Sequence, residues 1–266
     1  MITLLTDFGT RDGFVGAMKG VILSIAPDIQ ITDITHEISP QNIMEGALAL
    51  GRTAHYFPTG TIHVAVVDPG VGTDRRAIAA RLGAQYFVGP DNGLLTLLLE
   101  RAERQQEETE IVHLNRPEYW LPEVSNVFHG RDVFAPVAAH LAAAVPLSQL
   151  GSPIQDPLRL IIPTPQPIDG GWRGEIIHID RFGNLAANIQ RRHLIGMSSF
   201  RVHFGHYVMH RLAHAFGDGK PGELLALFDS SGNLSLCIVN GNAAEILHAR
   251  IGDALTVVVS SKNDQG

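Results

Sequence analysis

The chain has 266 residues, with 20 lysines and arginines against 27 aspartates and glutamates, so its formal net charge is −7. This acidic balance argues against nucleic acid or an anionic membrane surface as the main partner, because both attract clustered lysine and arginine. Hydrophobic residues make up 45% of the sequence and charged residues 18%, which is typical of a globular protein and excludes a disordered one.

The single cysteine, Cys237, excludes an intramolecular disulfide framework and any metal site built from several cysteines. No stretch reaches the roughly 18 consecutive apolar residues that a membrane helix needs. Met1 leads directly into the apolar segment 2–6, without the basic and cleavable pattern of a secretory leader. We therefore expect a cytoplasmic protein with no membrane partner.

The first 150 residues alternate short apolar runs with helical patterns. Predicted strands lie at 2–6, 29–34, 62–67, 77–82 and 86–88, and predicted helices at 13–25, 41–56, 94–105 and 133–144. Strands interleaved with helices indicate a sheet that is covered on both faces. We predict an N-terminal α/β domain of the sandwich type over residues 1–150.

The pattern changes after residue 150. Residues 151–171 contain five prolines and end in two glycines, which predicts a proline-stiffened linker. Strand patterns then follow one another at 172–179, 200–208, 224–228, 234–239 and 254–259, separated by glycine-containing turns. This succession predicts a smaller C-terminal β-barrel-like domain over residues 172–266.

Two acidic residues, Asp7 and Asp12, follow the first predicted strand in the sequence Thr6-Asp7-Phe8-Gly9-Thr10-Arg11-Asp12. The carboxyl ends of strands form the ligand crevice of an α/β sheet, where these acids would accept hydrogen bonds from ribose hydroxyls. The alternative is that both acids cap the following helix. The residues alone favour neither interpretation.

A second candidate site, Asp68-Pro69-Gly70-Val71-Gly72 with Arg75, follows the predicted strand at 62–67. Its glycines allow the backbone to approach a ligand closely, and an acid beside an arginine at a strand end favours chemistry over a simple turn. His129 precedes the predicted helix at 133–144 and is a candidate catalytic group. The alternative is a surface histidine, with Asp132 as the helix cap.

The C-terminal domain offers the segment from Asp180 to Asn188, in which Phe182 would stack on a purine and Asn184 would bind a polar group. The alternative is a turn whose phenylalanine packs into the core. Ser230 and Asn242 lie in sequences typical of hairpin turns. Four histidines between 203 and 214 suggest a metal, but their spacing mixes the faces of a strand, so we predict no metal site.

Six segments together resemble the S-adenosylmethionine hydroxide adenosyltransferase family, whose members are also called S-adenosylmethionine hydrolases and are related to fluorinases and chlorinases. The segments are Thr6-Asp7-Phe8-Gly9 with Asp12-Gly13, Asp33-Ile34-Thr35-His36, Asp68-Pro69-Gly70-Val71-Gly72 with Arg75-Arg76, Gly89-Pro90-Asp91-Asn92-Gly93, Phe128-His129-Gly130-Arg131-Asp132 and Asp180-Arg181-Phe182-Gly183-Asn184. They occur in the family's order and span nearly the full chain.

The resemblance implies a homotrimer, with each ligand site formed by the N-terminal domain of one subunit and the C-terminal domain of its neighbour. It implies that Asp68, Arg75 and His129 direct a water molecule. The residues that match ligand-contacting positions of the family are Asp7, Phe8, Asp12, Phe182, Asn184, Ser230, Asn242 and Ala243. S-adenosylmethionine is then the substrate, and no cofactor is expected.

The implied reaction is attack of water on C5′ of S-adenosylmethionine, which gives adenosine and L-methionine. The halogenase branches carry other residues at or around the position of Asp68, and the extra loop of the fluorinases has no counterpart here. The resemblance therefore favours a hydrolase. The alternatives are a chlorinase-like transferase that uses halide, and a sensor that binds the nucleoside without catalysis.

Overall fold

The computed structural model describes residues 1–197 and 199–259. The chain divides into two compact units, Met1–Leu160 and a second unit that starts at Ile161. The division falls within the proline-rich segment 151–171. No helix among the described residues is long and apolar enough to cross a bilayer.

The N-terminal unit contains one sheet and four α-helices. Its strands are β1 (Ile2–Thr6), β2 (Ile31–Thr35), β3 (Ile62–Val66), β4 (Ala77–Leu82), β5 (Gln85–Pro90), β6 (Thr109–His113) and β7 (Ser152–Pro153). Its helices are α1 (Phe14–Ile25), α2 (Ile43–Thr53), α3 (Thr96–Gln105) and α4 (Ala135–Ala142), and a π-helical turn, Gly130–Phe134, leads directly into α4.

The strand order in this sheet is β2-β1-β3-β5-β4-β6-β7. Strands β2, β1, β3 and β5 are parallel, and the remaining pairs are antiparallel. Thr6 pairs with Val66, so β1 and β3 end side by side. The loops that follow these two strands therefore begin at the same edge of the sheet.

The core lies on both faces of this sheet, as the near-continuous apolar strands require. Along β3, Val64 and Val66 face the core that α1 and α4 cover, whereas Ala65 and Val67 face the core that α2 and α3 cover. This alternation follows the two-residue period of a strand. It builds three layers, with helices above and below the sheet.

Three sequence predictions for this unit need correction. Helix α2 begins at Ile43 and not at 41, because the Asn42 side chain accepts the Glu45 amide at 3.1 Å as an N-cap. The helix predicted at 133–144 starts earlier, as the π-helical turn at Gly130. Strand β6 has no counterpart in the prediction.

The C-terminal unit is built from strands. They are β8 (Gln166–Ile168), β9 (Gly171–Ile179), β10 (Leu185–Gln190), β11 (Phe200–Phe204), β12 (Tyr207–Met209), β13 (Leu224–Phe228), β14 (Asn233–Ile238) and β15 (Ala254–Val259). A short helix, α5 (Ala243–Ile246), follows β14. The main strand order is β12-β11-β15-β9-β10-β14-β13, and β8 pairs with β9.

This second sheet nearly closes on itself. Leu212, just after β12, forms a bridge with Ala226 of β13, and the Ala213 amide donates to the Ala226 carbonyl at 2.8 Å. The two ends of the strand order thus approach each other around one apolar core. An α/β unit followed by a smaller barrel-like β unit confirms the predicted fold class.

Two predictions for the C-terminal unit are wrong in detail. The strand predicted at 200–208 is a hairpin, because Gly205 adopts a φ of +56° and turns the chain between β11 and β12. Strand β10 also has no counterpart in the prediction. Its residues are buried on both faces, but they include two alanines and an asparagine, which have low strand propensity.

Candidate active site

A cavity of about 430 Å³ opens at the edge where β1 and β3 end. Its walls come from four segments of the N-terminal unit: 7–14, 40–41, 66–71 and 127–130. Asp7, Phe8, Asp68 and His129 all line it, so the structure brings four of the predicted site residues together. The segment that follows β2, with Pro40 and Gln41, contributes a wall that the sequence did not predict.

Asp68 and Arg75 form an ion pair beside this cavity. The Arg75 Nε lies 3.0 Å from both carboxylate oxygens of Asp68, and its Nη2 lies 2.6 Å from Oδ2. The side chains are only 5% and 10% exposed. The Arg75 guanidinium also lies over the Phe134 ring, 5.3 Å from its centroid. The carboxylate is therefore held in one orientation by a charge-assisted, planar contact.

His129 contacts the same guanidinium, at the nitrogen that also binds Asp68. Its Nδ1 lies 2.8 Å from Arg75 Nη2. A guanidinium only donates hydrogen bonds, so Nδ1 accepts, and a neutral His129 must carry its proton on Nε2. Burial and the positive charge of Arg75 lower the pKa of His129 from its usual value of 6.5, against a smaller opposing effect of Asp68 and Asp132. The neutral imidazole is thus the form that fits this site at pH 7.

Two glycines allow the loop after β3 to adopt this geometry. Gly72 has a φ of +77°, and a Cβ there would lie 2.3 Å from the Asn126 carbonyl oxygen. A Cβ at Gly70 would lie 3.3 Å from the Arg75 Cγ. A side chain at Gly72 would separate the loop from the segment that carries His129, and one at Gly70 would crowd the Arg75 side chain, so both glycines are required for close approach.

Asp132 anchors the segment that precedes His129. Its carboxylate is fully buried, accepts the Ser125 amide at 2.8 Å and is paired with Arg131, whose guanidinium stacks over Phe128 at 5.0 Å. No side chain caps the start of the π-helical turn or of α4. The interpretation of Asp132 as a helix cap is therefore wrong, because the backbone it binds belongs to the preceding loop.

Asp7 and Phe8 form the opposite wall. The Asp7 carboxylate accepts the Gln41 amide at 2.8 Å, and Phe8 packs edge-on against Phe14 and Phe128, with centroids 5.9 and 5.8 Å away. Asp12 is exposed and is not among the cavity residues. Neither acid caps α1, whose N-cap is Gly13 without a side-chain hydrogen bond. The capping alternative is therefore excluded.

The candidates in the C-terminal unit fall into two places. Phe182 is 75% exposed, which excludes the alternative of a core phenylalanine. It lies in a turn fixed by Asp180, which accepts the amides of Phe182 and Asn184 at 2.9 and 2.8 Å. This turn adjoins Asn242, because a Cβ at Gly183 would meet the Asn242 side chain, and the Ala244 amide donates to the Gly183 carbonyl.

Ser230 lies elsewhere. It belongs to the turn that enters β14, whereas Asn242 and the buried Ala243 follow the end of β14. A six-residue strand separates these ends by about 17–20 Å. Within one copy of the C-terminal unit, the structure therefore groups Phe182, Asn184, Asn242 and Ala243 and leaves Ser230 apart.

The cavity residues Pro40, Gln41 and Val127 lie outside the segments that the sequence singled out, and Phe14 and Val71 had no assigned role. Gln41 adopts a φ of +65°, which is uncommon for a residue other than glycine. Val127 is 78% exposed and Phe14 47%, so apolar side chains face solvent around the cavity mouth. Exposed apolar residues at the mouth of a cavity that also holds charged groups are a signal that only the structure reveals.

The four histidines between 203 and 214 are spread over the hairpin β11–β12 and the loop beyond it, and not over one helix face. In the described parts of the chain, no group of three or more histidine, cysteine or acidic residues is arranged to hold a metal ion.

Family models match both halves of the chain. The model of the S-adenosylmethionine hydroxide adenosyltransferase N-terminal domain matches residues 2–151, and that of the C-terminal domain matches residues 174–256. The chain belongs to the S-adenosylmethionine hydroxide adenosyltransferase family. This confirms the resemblance found in the sequence.

Relatives within this family extend over nearly the whole chain. The (R)-S-adenosyl-L-methionine hydrolase of Salinispora arenicola is 41% identical, with 96% of this chain and 97% of the relative covered. The enzyme of the same name from Thermus thermophilus is 37% identical, with 94% and 96% covered. A fluorinase of an Actinoplanes species is 31% identical, with 73% of each chain covered.

Two solved structures share the fold of this chain. A crystal structure of an uncharacterized conserved protein from Thermotoga maritima has a TM-score of 0.89 at 37% identity, with 97% of this chain and all of that chain covered. A conserved hypothetical protein from Thermus thermophilus has a TM-score of 0.77 at 33% identity, with 97% and 99% covered.

Proposed function

We propose that this member of the family hydrolyses S-adenosyl-L-methionine, with water attacking C5′ to give adenosine and L-methionine. The observation that carries the proposal is the arrangement of a nearly buried Asp68–Arg75 ion pair and a half-buried His129 at the wall of a 430 Å³ cavity. The hydrolase names of relatives that align over nearly the full chain support it. We place the reaction in the cytoplasm, where cells make S-adenosylmethionine.

The chemistry explains why a carboxylate is needed and a cofactor is not. Methionine leaves the sulfonium as a neutral thioether, so no acid has to assist its departure. Water is a weak nucleophile, and it must approach C5′ in line with the C–S bond. A water held at about 3 Å from C5′ by Asp68 is already close to the geometry of attack. We therefore propose a one-step substitution without metal or cofactor.

Asp68 is the group that accepts the proton of this water. His129 is bound through Nδ1 to Arg75, and its other nitrogen already carries a hydrogen, so the neutral imidazole has no free lone pair. Its remaining N–H can donate to the oxygen of the water and fix its position. Arg75 keeps the negative charge of Asp68 compensated before the proton arrives.

The substrate is held by residues of both units. Asp7, Phe8 and Asp12 are proposed to contact the ribose and methionine portions, and Phe182 to stack on adenine. Phe182 is exposed and projects from a rigid turn, which suits a flat aromatic ligand. Asn184, Asn242 and Ala243 are proposed as polar and backbone contacts beside Phe182, and Ser230 as a separate contact. Because the relatives are named for the (R) form, we propose the same configuration at sulfur.

The deciding experiment uses ¹⁸O-labelled water and the separated (R) and (S) forms of S-adenosylmethionine, with products followed by mass spectrometry. We expect adenosine with one ¹⁸O at the 5′ oxygen, together with methionine, from the (R) form. Asp68→Ala should bind adenosine normally but lose turnover by about 10²–10⁴-fold, the usual contribution of a positioned base.

Three results would overturn this proposal. Unchanged turnover in Asp68→Ala would remove the carboxylate from the mechanism. Chlorinated deoxyadenosine in the presence of chloride would establish the transferase alternative. Bound S-adenosylmethionine that is recovered intact would establish a sensor.

We further propose that the active molecule is a homotrimer in which each site combines the N-terminal unit of one subunit with the C-terminal unit of its neighbour. The exposed apolar side chains at the cavity mouth and the exposed Phe182 support an assembly that covers them. Subunit mixing tests this. Asp68→Ala damages the N-terminal half of a site and Phe182→Ala the C-terminal half.

Co-expression of the two variants in equal amounts should restore about a quarter of the wild-type activity below KM, because about a quarter of all sites then have both halves intact. A mixture no more active than the average of its parents would contradict shared sites. A monomer in sedimentation would contradict the trimer.

A further inference from the structure

A chain of polar contacts runs from the surface of α1 to the wall of the cavity. Lys19 Nζ lies 2.7 Å from Asp33 Oδ2, and the other oxygen of Asp33 lies 3.1 Å from His36 Nε2. His36 Nδ1 is 2.9 Å from Thr6 Oγ1, which in turn accepts the Phe8 amide at 3.2 Å. Every link thus leads towards the segment that carries Asp7 and Phe8.

The protonation of each group determines which atom donates and which accepts along this chain. Burial raises the pKa of Asp33, but hydrogen bonds from Lys19 and His36 outweigh it and hold that pKa below its usual value. The carboxylate is therefore ionised and can only accept, so the Nε2 atom of His36, which lies 3.1 Å from it, carries the ring hydrogen. In the neutral imidazole Nδ1 must accept, and it takes the hydroxyl hydrogen of Thr6. The oxygen of Thr6 is then free to accept the Phe8 amide.

His36 also holds the far end of the same segment. Its backbone carbonyl accepts the Gly9 amide at 2.7 Å, and Gly9 has a φ of +65°. The segment Asp7–Phe8 is therefore fixed at both sides by one residue, through the Thr6 side chain and through Gly9. His36 is 5% exposed and Thr6 fully buried, so neither side chain is available to a ligand in the cavity.

We infer that His36 is a positioning residue, which sets the cavity wall formed by Asp7 and Phe8 by orienting the Thr6 hydroxyl. The Thr6–His36–Asp33 order resembles that of a nucleophile, a base and an acid. Because Thr6 lies in β1 with no exposed surface, the arrangement orders the wall and does not attack a substrate. This inference rests on the proposed function only for its kinetic readout.

Matched variants of Thr6 and His36 distinguish a positioning role from a role in packing alone. Thr6→Val keeps the shape of the side chain and removes the hydroxyl, whereas Thr6→Ser keeps the hydroxyl. His36→Asn keeps an acceptor near the Nδ1 position, whereas His36→Gln fills more space and keeps only the donor towards Asp33. Thr61→Val is the control, because the Thr61 hydroxyl is as buried and donates to the Pro58 carbonyl at 2.7 Å, away from the cavity.

The readouts are KM and kcat for S-adenosylmethionine and, independently of turnover, the Kd of adenosine by calorimetry. Loss of one oriented hydrogen bond should raise KM and the adenosine Kd by about tenfold in Thr6→Val and His36→Gln. Changes in kcat should stay within about threefold, since Asp68 and Arg75 are not touched. Thr6→Ser, His36→Asn and Thr61→Val should bind within about twofold of wild type.

The inference fails if His36→Gln binds as well as His36→Asn, because space filling alone would then explain the histidine. It also fails if Thr6→Ser is weakened as much as Thr6→Val. Should Thr6→Val not fold, the two His36 variants give the same comparison. If the wild type releases no adenosine, the proposed function fails, and the calorimetric comparison still tests the role of His36.

Discussion

At the scale of single residues, the candidate site depends on the contacts that the Arg75 guanidinium makes. Arg75 contacts both oxygens of Asp68 and the Nδ1 of His129 while it lies over the Phe134 ring. Its fixed planar fork allows these contacts at once, whereas an ammonium group is a point charge without a plane. Arg75 thereby sets both the orientation of the carboxylate and the tautomer of the histidine.

We predict that Arg75→Lys lowers kcat by about 10–100-fold, because a lysine can replace one of the charged hydrogen bonds but not all of them. The adenosine Kd should change little, since the side chain faces Asp68 and His129. Steady-state kinetics and calorimetry with adenosine measure the two effects.

Arg76→Lys is the matched control for this substitution. Arg76 is paired with Asp91 and Asp156 outside the cavity, so its substitution should leave kcat near wild type. Wild-type turnover in Arg75→Lys would show that neither the planar contact nor the histidine tautomer matters for catalysis.

The candidate residues could be named from the sequence, but their order in space could not. Asp68 and Arg75 are seven positions apart, and His129 comes from a separate loop. That Arg75 lies between the other two depends on the close approach of Gly72 to Asn126, which no pattern of residue types encodes. Gln41 escaped prediction for a similar reason, since its role depends on a backbone amide.

At the scale of elements, strands with continuous apolar runs could be predicted from the sequence, and a strand without such a run could not. The apolar runs of β1, β3 and β13 appear directly in the sequence because all or most of their residues are buried. Strand β10 contains Ala186, Ala187 and Asn188, which have low strand propensity. Tertiary contacts compensate, for example between the Asn188 side chain and the Glu175 amide at 3.0 Å.

The loop after β3 is the element whose conformation is most constrained. We predict that Gly72→Ala lowers the free energy of unfolding by about 2 kcal/mol, because alanine is strained at positive φ and its Cβ would overlap the Asn126 carbonyl. Displacement of the segment that leads to His129 should also lower kcat. Urea unfolding and steady-state kinetics report the two effects.

Gly16→Ala provides the comparison for this glycine. Gly16 lies within α1, and a Cβ there would meet open space, so alanine should raise stability by up to about 1 kcal/mol through helix propensity and leave kcat unchanged. If Gly72→Ala behaves in the same way, the loop tolerates a side chain and the close approach is not required.

At the scale of the whole molecule, histidines that folding shields from water, in part or fully, link stability to pH. Burial lowers the pKa of His55, His129, His140 and His193 below 6.5, and it lowers the pKa of His63 to about 4. In each case the unfolded chain takes up a proton at a higher pH than the folded chain does. The contributions therefore all act in the same direction, and acid weakens the fold.

His63 should make the largest contribution, because it is fully buried in β3 beside Thr3 and Phe57. Its stabilising effect is complete above pH 6.5 and disappears as the pH falls from 6.5 to 4, which corresponds to about 3 kcal/mol. His63→Asn keeps an acceptor for Thr3 but cannot titrate. We predict that, between pH 6.5 and pH 4, the free energy of unfolding falls by about 3 kcal/mol less in His63→Asn than in wild type.

Urea unfolding at a series of pH values tests this, with Trp120 fluorescence in a Trp172→Phe background as the reporter of the N-terminal unit. His210→Asn, which removes an exposed histidine, should retain the wild-type slope of stability against pH. Parallel curves for wild type and His63→Asn would mean that the buried imidazole is protonated in both states. The acid sensitivity of the fold would then have to come from the other histidines with lowered pKa and from the paired carboxylates, which lose their charge at lower pH.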